Sequence, residues 1–237
     1  MKHLYVATIL LTVLVIQVVC VQVIHAQEGQ VTIAPTDDTY ADLNNPDSNY
    51  GGQSNLVIEN FGSFPADVWK KRVWLKFNLS EVPDGAVVNI ATLELYSETV
   101  TETYEVQARR GSHNSWTEFT LTWNNGPDYE SPLDKTFVAS NSQWYSWNVT
   151  DAVRENLNGI YGGSDVVTII LLECCASRGM GSQASFLSKE GPVESKPKLT
   201  IHWTEVIPEY PSFLLILPLL LTITSFFAFV KRKKGIT

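Results

Sequence analysis

Residues 71–97 read KRVWLKFNLSEVPDGAVVNIATLELYS and contain two runs of alternating side chains on either side of a turn. In the first run the apolar residues Val73, Leu75 and Phe77 alternate with polar or bulkier neighbours. The second run, VNIATLELYS, has the same two-residue period, and VPDGA (82–86) between them has the composition of a turn. Because successive side chains of a strand point to opposite faces, this stretch predicts two half-buried strands separated by a turn.

Short runs of β-branched and aromatic residues recur along the chain, separated by clusters of Gly, Pro, Asn and Asp. The predicted strands are Leu56–Glu59, Arg72–Leu79, Val87–Ser97, Tyr104–Ala108, Gln143–Val149, Val166–Glu173, Ala184–Ser188 and Lys198–Trp203. One short helix is predicted over AVRENLNG, capped by Thr150 or Asp151 and ended by Gly159. This pattern predicts an all-β fold, an antiparallel jelly-roll β-sandwich with one short helix.

Apolar runs flank this region at both ends. Residues 4–24 follow Lys2 and His3, which predicts a signal peptide over 1–26 with an uncleaved signal anchor as the alternative. Residues 213–230 carry no charge and precede four consecutive basic residues. An 18-residue helix is about 27 Å long, close to the hydrocarbon thickness of a bilayer. The segment 208–237 is therefore predicted to be a transmembrane anchor with a basic cytoplasmic tail.

The region 27–207 is then predicted to be one extracellular domain. All 25 acidic residues lie between Glu28 and Glu209, whereas 5 of the 17 basic residues lie near the termini. The domain is therefore more acidic than the whole chain, whose net charge is −8. Such a surface repels nucleic acid and anionic headgroups, which excludes those partners.

Five segments, in order, carry a family resemblance. They are DDTYADLNNPDSNYGG, KRVWLKFNLSEVPDGAVVNIATLELY, SWTEFTLTWNNGP, WYSWNVTDAV and FLSKEGPVESKPKLTIHW. Together, over residues 31–204, they resemble the DNRLRE domain, which is related to the disaggregatase group and to carbohydrate-binding module family 96. The resemblance implies a non-catalytic jelly-roll β-sandwich that is attached to polysaccharide-acting enzymes and surface proteins.

The sequence departs from that family at two positions where related domains typically carry Asp. Asn78 and Asn148 stand there, and each begins an Asn-x-Ser/Thr sequon, which predicts glycosylation in a secreted domain. Arg72 and Glu190 occupy positions of the family pattern beside strands, and we expect them to form a structural ion pair.

The C-terminal tail also has a resemblance. IPEYPSF, followed by an apolar span and basic residues, is similar to the PEF-type sorting signals of archaeal surface proteins. That resemblance implies, as the alternative to plain membrane anchoring, a sortase-like partner that removes the helix.

The sequence indicates a binding protein rather than an enzyme. Of the 4 histidines only His113 and His202 lie within the predicted domain, and neither is part of a catalytic motif. A structural calcium is one interpretation of the loop that follows Pro35, since hard oxygen ligands in irregular backbone suit this ion, and the alternative is that its Asp and Asn residues only form turns. The predicted ligands are Asp37, Asp38, Asp42, Asn45 and Asp47.

Sugar rings stack on exposed aromatic side chains, and anionic sugars pair with basic ones. The predicted ligand-binding residues are Phe64, Trp69, Arg109, Arg110, Tyr50 and Tyr129. The arginine pair is expected to clamp a uronate or sulfate group. The sequence therefore predicts a cell-surface module that binds polysaccharide, including uronate polymers. The alternative is a structural or adhesive protein of the cell envelope that binds no glycan.

Overall fold

The computed structural model describes residues 24–60, 70–159, 164–174 and 182–208. Its chain contacts divide the protein into one unit over Glu28–Glu205 and a second formed by Met1–Gln27 with Val206–Thr237. Apart from the ends of the first and last strands, the predicted signal peptide and C-terminal anchor lie outside the described residues. Within the described ranges, no helix has the length and apolar character needed to cross a bilayer.

The described residues form strands and a single α-helix. They are β1 (Ile24–Ile33), β2 (Asp37–Asp42), β3 (Asn55–Asn60), β4 (Lys70–Asn78), β5 (Val87–Val100), β6 (Tyr104–Gly111), β7 (Tyr129–Val138), β8 (Trp144–Asn148), α1 (Thr150–Leu157), β9 (Val166–Glu173), β10 (Ser182–Leu187) and β11 (Lys198–Pro208). One turn of 3-10 helix lies at Val193–Ser195. The predicted all-β architecture with one short helix is confirmed, whereas β1, β2 and β7 were not predicted.

The strands form a curled, sandwich-like sheet whose two parts share β5. The first part of β5 pairs with β11 and β8, and its last part pairs with β10. From β10 the sheet continues through β3, β4, β9 and β6 to β7, and β2 also pairs with β4. Each pairing whose register is described is antiparallel. We refer to the part from β10 to β7, with β2, as the larger sheet.

The core lies between the inner faces of the two parts. Val73, Leu75 and Phe77 are each 0% exposed, as the alternation in the sequence predicted. The indole of Trp147 packs against Phe186, with ring centroids 6.0 Å apart and planes at 75°. Its Nε1 donates a hydrogen bond to the carbonyl of Val106 at 2.9 Å, so the one polar atom of this buried ring has a partner.

The predicted side-chain cap of α1 was wrong. Val149 is the N-cap residue, and no side-chain hydrogen bond caps the helix. The Thr150 hydroxyl instead donates to Asn148 Oδ1 at 2.6 Å and accepts the N–H of Ala91 at 2.9 Å. Thr150 therefore joins the start of the helix to β5.

Candidate functional site

The site lies on the outer face of the larger sheet. Since Val73 and Leu75 face the core, Arg72, Trp74 and Lys76 of β4 point outward. Residues 112–128, here called the covering segment, cross part of this face. Trp116 and Leu121 of the segment join Trp74, Ala41 and Ile170 in a second buried apolar cluster.

Polar contacts hold the covering segment on the sheet. The side-chain amide of Asn49 donates to the carbonyls of Glu118 at 2.6 Å and Leu121 at 2.7 Å. Gly51 lies so close to this segment that an added Cβ would be 2.2 Å from the Glu118 carbonyl oxygen. Lys76 Nζ donates to the carbonyl of Trp116 and pairs with Asp37 at 2.9 Å. The segment is therefore positioned by β4 and by the residues around β2.

Beyond the covering segment, two arginines and two aromatic rings come together. The Arg72 Cζ atom is 4.6 Å from the ring centroid of Trp123 and 4.8 Å from that of Tyr129. The Arg109 Cζ atom is 4.7 Å from the ring centroid of Tyr129. These four side chains, here called the aromatic–basic surface, come from β4, β6, β7 and the covering segment. A guanidinium within about 6 Å of a ring centroid is attracted to the ring, so the contacts stabilise each other's orientation.

Neighbouring groups hold both ends of this surface. Trp74 packs edge-on against Trp123, with centroids 6.5 Å apart and planes at 85°, and its Nε1 donates to the Pro127 carbonyl at 3.2 Å. Arg109 Nε donates to Gln107 Oε1 at 2.7 Å, and its Nη1 donates to the Glu130 carbonyl at 3.0 Å. A guanidinium has five N–H donors, so these two bonds orient Arg109 without using all of its donors.

A shallow cavity of about 170 Å³ adjoins Arg72 and Tyr129. It is lined by Glu59, Asn60, Lys70, Lys71, Arg72, Tyr129, Leu172 and Glu173. A larger cavity of about 310 Å³ lies between the 83–88 turn and the end of α1, but no aromatic side chain lines it. The smaller cavity combines an aromatic ring with cationic, amide and acidic groups, a composition suited to polar ligands.

The predicted ligand-binding residues have different outcomes. Tyr129 and Arg109 lie in the aromatic–basic surface, and Tyr129 is 39% exposed. Tyr50 stacks on Tyr40 of β2, with ring centroids 4.4 Å apart and planes at 21°. Phe64 and Trp69 lie outside the described residues. Trp123 was assigned to the family pattern and was not predicted as a ligand contact.

The structure does not place Arg109 and Arg110 as one clamp. Arg110 is 4% exposed and forms an ion pair with Glu130, and its Nε is 3.8 Å from Glu155 of α1. It follows Ala108 along the inward-facing side of β6, whereas Arg109 faces outward. The prediction that both bind one ligand is corrected, because adjacent strand residues point to opposite faces.

Arg72 and Glu190 also have other contacts than the predicted pair. Arg72 lies against Trp123 and Tyr129, whereas Glu190 forms an ion pair with Lys189 at 2.8 Å. Burial acts to raise the pKa of Glu190, but the hydrogen bonds from Lys189 and Ser188 outweigh it and lower that pKa. Arg72 belongs to the aromatic–basic surface. Its alternation with the apolar Val73 was the sequence signal that it faces outward.

The five predicted calcium ligands are not gathered around one point. Asp42 accepts hydrogen bonds from the N–H of Asn44 at 2.9 Å and from the side chain of Asn45 at 3.1 Å. Asp47 accepts from Asn124 at 2.8 Å. Asp42, Asn45 and Asp47 thus stabilise turns, which is a frequent role of such residues.

Asp38 lies instead with two carboxylates that are distant in the sequence. One oxygen from each of Asp38, Glu118 and Glu190 lies within 4.8 Å of the others. Burial raises the pKa of Asp38 to about 7, and the nearby Glu190 and Glu118 charges act in the same direction, against the Lys189 N–H. Sequence reasoning missed Glu118 because it is 80 residues from Asp38.

The two sequons lie at exposed asparagines. Asn78 ends β4 and Asn148 ends β8, and both are exposed. Asn78 Oδ1 accepts the N–H of Ser80 at 3.0 Å, and Asn148 Oδ1 accepts that of Thr150 at 3.0 Å. Glycosylation at these residues stays a prediction.

A family match defines the class of this protein. The sequence profile of carbohydrate-binding module family 96 matches residues 29–203. The chain belongs to carbohydrate-binding module family 96. Carbohydrate-binding modules are non-catalytic, and the prediction that the chain is not an enzyme is confirmed by the family. The finer resemblances, to the DNRLRE and disaggregatase groups and to PEF-type tails, stay predictions.

Comparison with curated proteins returns no match. Among solved structures, the match to the mud crab tombus-like virus structure has 8% identity and a TM-score of 0.29. It covers 81% of this chain and 87% of the matched chain. The match to the CBM22-2 xylan-binding domain from Paenibacillus barcinonensis Xyn10C has 5% identity and a TM-score of 0.24, and it covers 72% of this chain and 98% of the matched chain. The match to the C-terminal family 22 carbohydrate-binding module of Clostridium thermocellum Xyn10B has 10% identity and a TM-score of 0.22, and it covers 72% of this chain and 87% of the matched chain. The family profile is thus the finding that defines the class.

Proposed function

We propose that this chain binds polysaccharide at the aromatic–basic surface, and that the preferred ligands are acidic polymers that contain uronate. The observation that carries the proposal is the position of two guanidinium groups beside one ring. Arg72 and Arg109 lie 4.8 Å and 4.7 Å from the centroid of Tyr129. Membership of carbohydrate-binding module family 96 supports the general class of ligand.

The chemistry favours a carboxylated sugar over a neutral one. A guanidinium donates two parallel N–H bonds to a carboxylate, and such charge-assisted bonds are roughly twice as strong as neutral ones. The exposed part of Tyr129 offers an apolar surface for the C–H groups of a pyranose ring. The two kinds of contact, side by side, select a ring that carries a carboxylate.

The net negative charge of the chain weakens the binding expected at each site. The chain carries −8, so a polyanion is repelled at long range and attracted only by the local arginines. Salt screens exposed charges separated by more than about 8 Å at physiological ionic strength. We therefore expect weak binding at each site, and repeated ligand units on a polymer strengthen it through multivalency.

The proposal is tested by titrating the full-length protein with polyuronate and with a neutral polysaccharide of similar length. Binding of the polyuronate, lost in Arg72→Ala and in Trp123→Ala, supports it. Equal binding of both polymers limits the function to general glycan binding. No binding of either polymer by a folded wild-type protein overturns the proposal and leaves the structural or adhesive role.

The proposed location is the outer surface of the cell, with the C-terminal segment as anchor or as the substrate of a sortase-like enzyme. This part of the proposal is supported by residues 213–234 of the sequence alone. Mass spectrometry of the mature C-terminus in the native host separates the two, because processing removes the basic tail and anchoring retains it.

A further inference from the structure

Three carboxylates from distant parts of the chain meet where the covering segment crosses the larger sheet. Asp38 lies on β2, Glu118 in the covering segment, and Glu190 in the turn after β10. One oxygen of each lies within 4.8 Å of the others. Asp38 and Glu118 are 1% and 5% exposed, so most of this negative charge is removed from water.

The carboxylate of Asp38 is incompletely satisfied. Its Oδ2 accepts the backbone N–H of Lys189 at 2.8 Å. Its Oδ1 is buried and has no hydrogen-bond partner. An unpaired buried polar group costs about 1–3 kcal/mol, and more if it is charged. This oxygen therefore points to a ligand that supplies positive charge or a proton.

Lys189 neutralises part of the negative charge of this cluster. Its Nζ lies 2.9 Å from Glu118 Oε2 and 2.8 Å from Glu190 Oε1. The ammonium group thus contacts two of the three carboxylates, and the buried Asp38 Oδ1 stays without a hydrogen-bond partner. The Lys189 side chain is 23% exposed, so its flexible end has access to solvent.

We propose that Asp38, Glu118 and Glu190 form a binding site for a divalent cation, with Ca²⁺ as the best fit, and that Lys189 swings outward when the cation binds. Ca²⁺ prefers about six to eight oxygen ligands in flexible geometry. The three carboxylates come from a strand, a loop and a turn and supply part of this set, and water supplies the remaining ligands. Mg²⁺ demands stricter octahedral geometry and fits such a set less well.

Occupancy of this site joins the covering segment to β2 and to the turn after β10. Two hydrogen bonds already hold this part of the covering segment. The Asn114 side chain accepts from Thr168 of β9 at 2.8 Å, and the Glu118 N–H donates to Asp37 at 3.1 Å. The cation therefore stabilises a segment whose position on the sheet is already fixed by other contacts. This inference is independent of the proposed glycan binding, and its test needs no glycan.

The test uses the full-length protein, freed of metal with EDTA and titrated with CaCl₂. Bound Ca²⁺ is counted by equilibrium dialysis, and the melting temperature is measured in parallel. We expect one bound ion and, at about a hundred times its dissociation constant, a rise in melting temperature of about 5–10 °C. Asp38→Asn should lose both effects. Asp47→Asn is the matched control and should keep both, because Asp47 lies in a turn outside the cluster.

Lys189→Met distinguishes a metal site from a site made for the ammonium group. If Lys189 competes with the cation, its removal should strengthen Ca²⁺ binding by about tenfold or more, since a competing charge is lost. Absence of bound Ca²⁺ in both the wild type and Lys189→Met, at millimolar CaCl₂ with no shift in melting temperature, overturns the proposal. Equal binding by Asp38→Asn and the wild type overturns the assigned position.

Discussion

Arg109 and Arg110 are neighbours in the sequence, but they lie on opposite faces of β6 and have different environments. The Arg109 Cζ atom is 4.7 Å from the ring centroid of Tyr129 on the outer face. Arg110 is 4% exposed and forms an ion pair with Glu130. One arginine therefore belongs to the aromatic–basic surface and the other to the buried structure of the domain.

This difference predicts opposite results for two substitutions. Arg109→Ala should weaken polyuronate binding by about tenfold or more, since hydrogen bonds to charged groups contribute about 1.5–3 kcal/mol, with little change in stability. Arg110→Ala should lower the free energy of unfolding by about 1.5–3 kcal/mol, because a buried guanidinium loses its charge-assisted bond to the partly exposed Glu130. Calorimetric titration and denaturant unfolding measure the two effects. Equal effects of the two substitutions on binding would contradict the assignment.

The role of Tyr129 is tested against another exposed ring on the same strand. Tyr129→Ala should remove most of the measurable polysaccharide binding, because it takes away the ring shared by Arg72 and Arg109. Phe137→Ala is the matched control, since Phe137 is also on β7 and is 68% exposed. Binding isotherms should differ between the two variants, whereas both should melt near the wild-type temperature. A loss of binding in both variants would point to a different surface.

Trp147 should be among the most important core residues for stability. It is 0% exposed, packs on Phe186 and donates to the Val106 carbonyl. Trp147→Ala should lower the free energy of unfolding by about 3–5 kcal/mol. Trp147→Phe keeps an aromatic ring but leaves the Val106 carbonyl without its donor, and it should cost less. Urea unfolding gives both values, and a neutral Trp147→Ala would show that the site collapses around the lost ring.

Asp38 should give the metal-free protein a distinctive pH dependence. Its pKa is about 7 in the folded protein, above the value of 3.8 for the free carboxyl, because of burial. The folded state then holds more protons than the unfolded state between these pH values. The contribution of Asp38 to the free energy of unfolding is thus fully present below about pH 4. It declines as the pH rises to about 7, by at most about 1.4 kcal/mol per pH unit.

The comparison with Asp38→Asn isolates this contribution. The pKa values of Asp37 and Glu190 are lowered, so their stabilisation acts above their unfolded values and is lost as pH falls. Both proteins share that opposite trend. In EDTA, the variant should therefore gain stability relative to the wild type as pH rises from about 4 to about 7. A constant difference across this range would show that Asp38 ionises at the same pH in both states.

Glycosylation at Asn78 and Asn148 predicts added mass in protein secreted from a host that modifies sequons. Both side chains are exposed at strand ends, so a glycan fits without disturbing the core. Asn78→Gln and Asn148→Gln should each remove the mass of one glycan in intact-mass spectra. An unmodified mass in the secreted wild type would contradict the prediction.

The sequence by itself determined the class of fold and its inner face. Alternation in residues 72–79 and 88–97 assigns one side of each strand to the core, because a shift of one residue would move the apolar side chains to the solvent face. The runs of β-branched residues predicted eight of the strands. β2 was missed because DDTYAD resembles a turn-forming segment, and its acidic residues are accommodated only by partners such as Lys76 and the Lys189 N–H.

Only the tertiary structure decided which side chains form a site. Arg72, Arg109, Trp123 and Tyr129 meet because β4, β9, β6 and β7 are consecutive in the larger sheet and the covering segment folds over them. The same folding brings Asp38 to Glu118 and Glu190. Alternation along a strand reports which face a residue occupies, but it carries no information about which distant strand lies beside it. Contacts between distant segments depend on strand order and loop packing, and these follow from the folded chain as a whole.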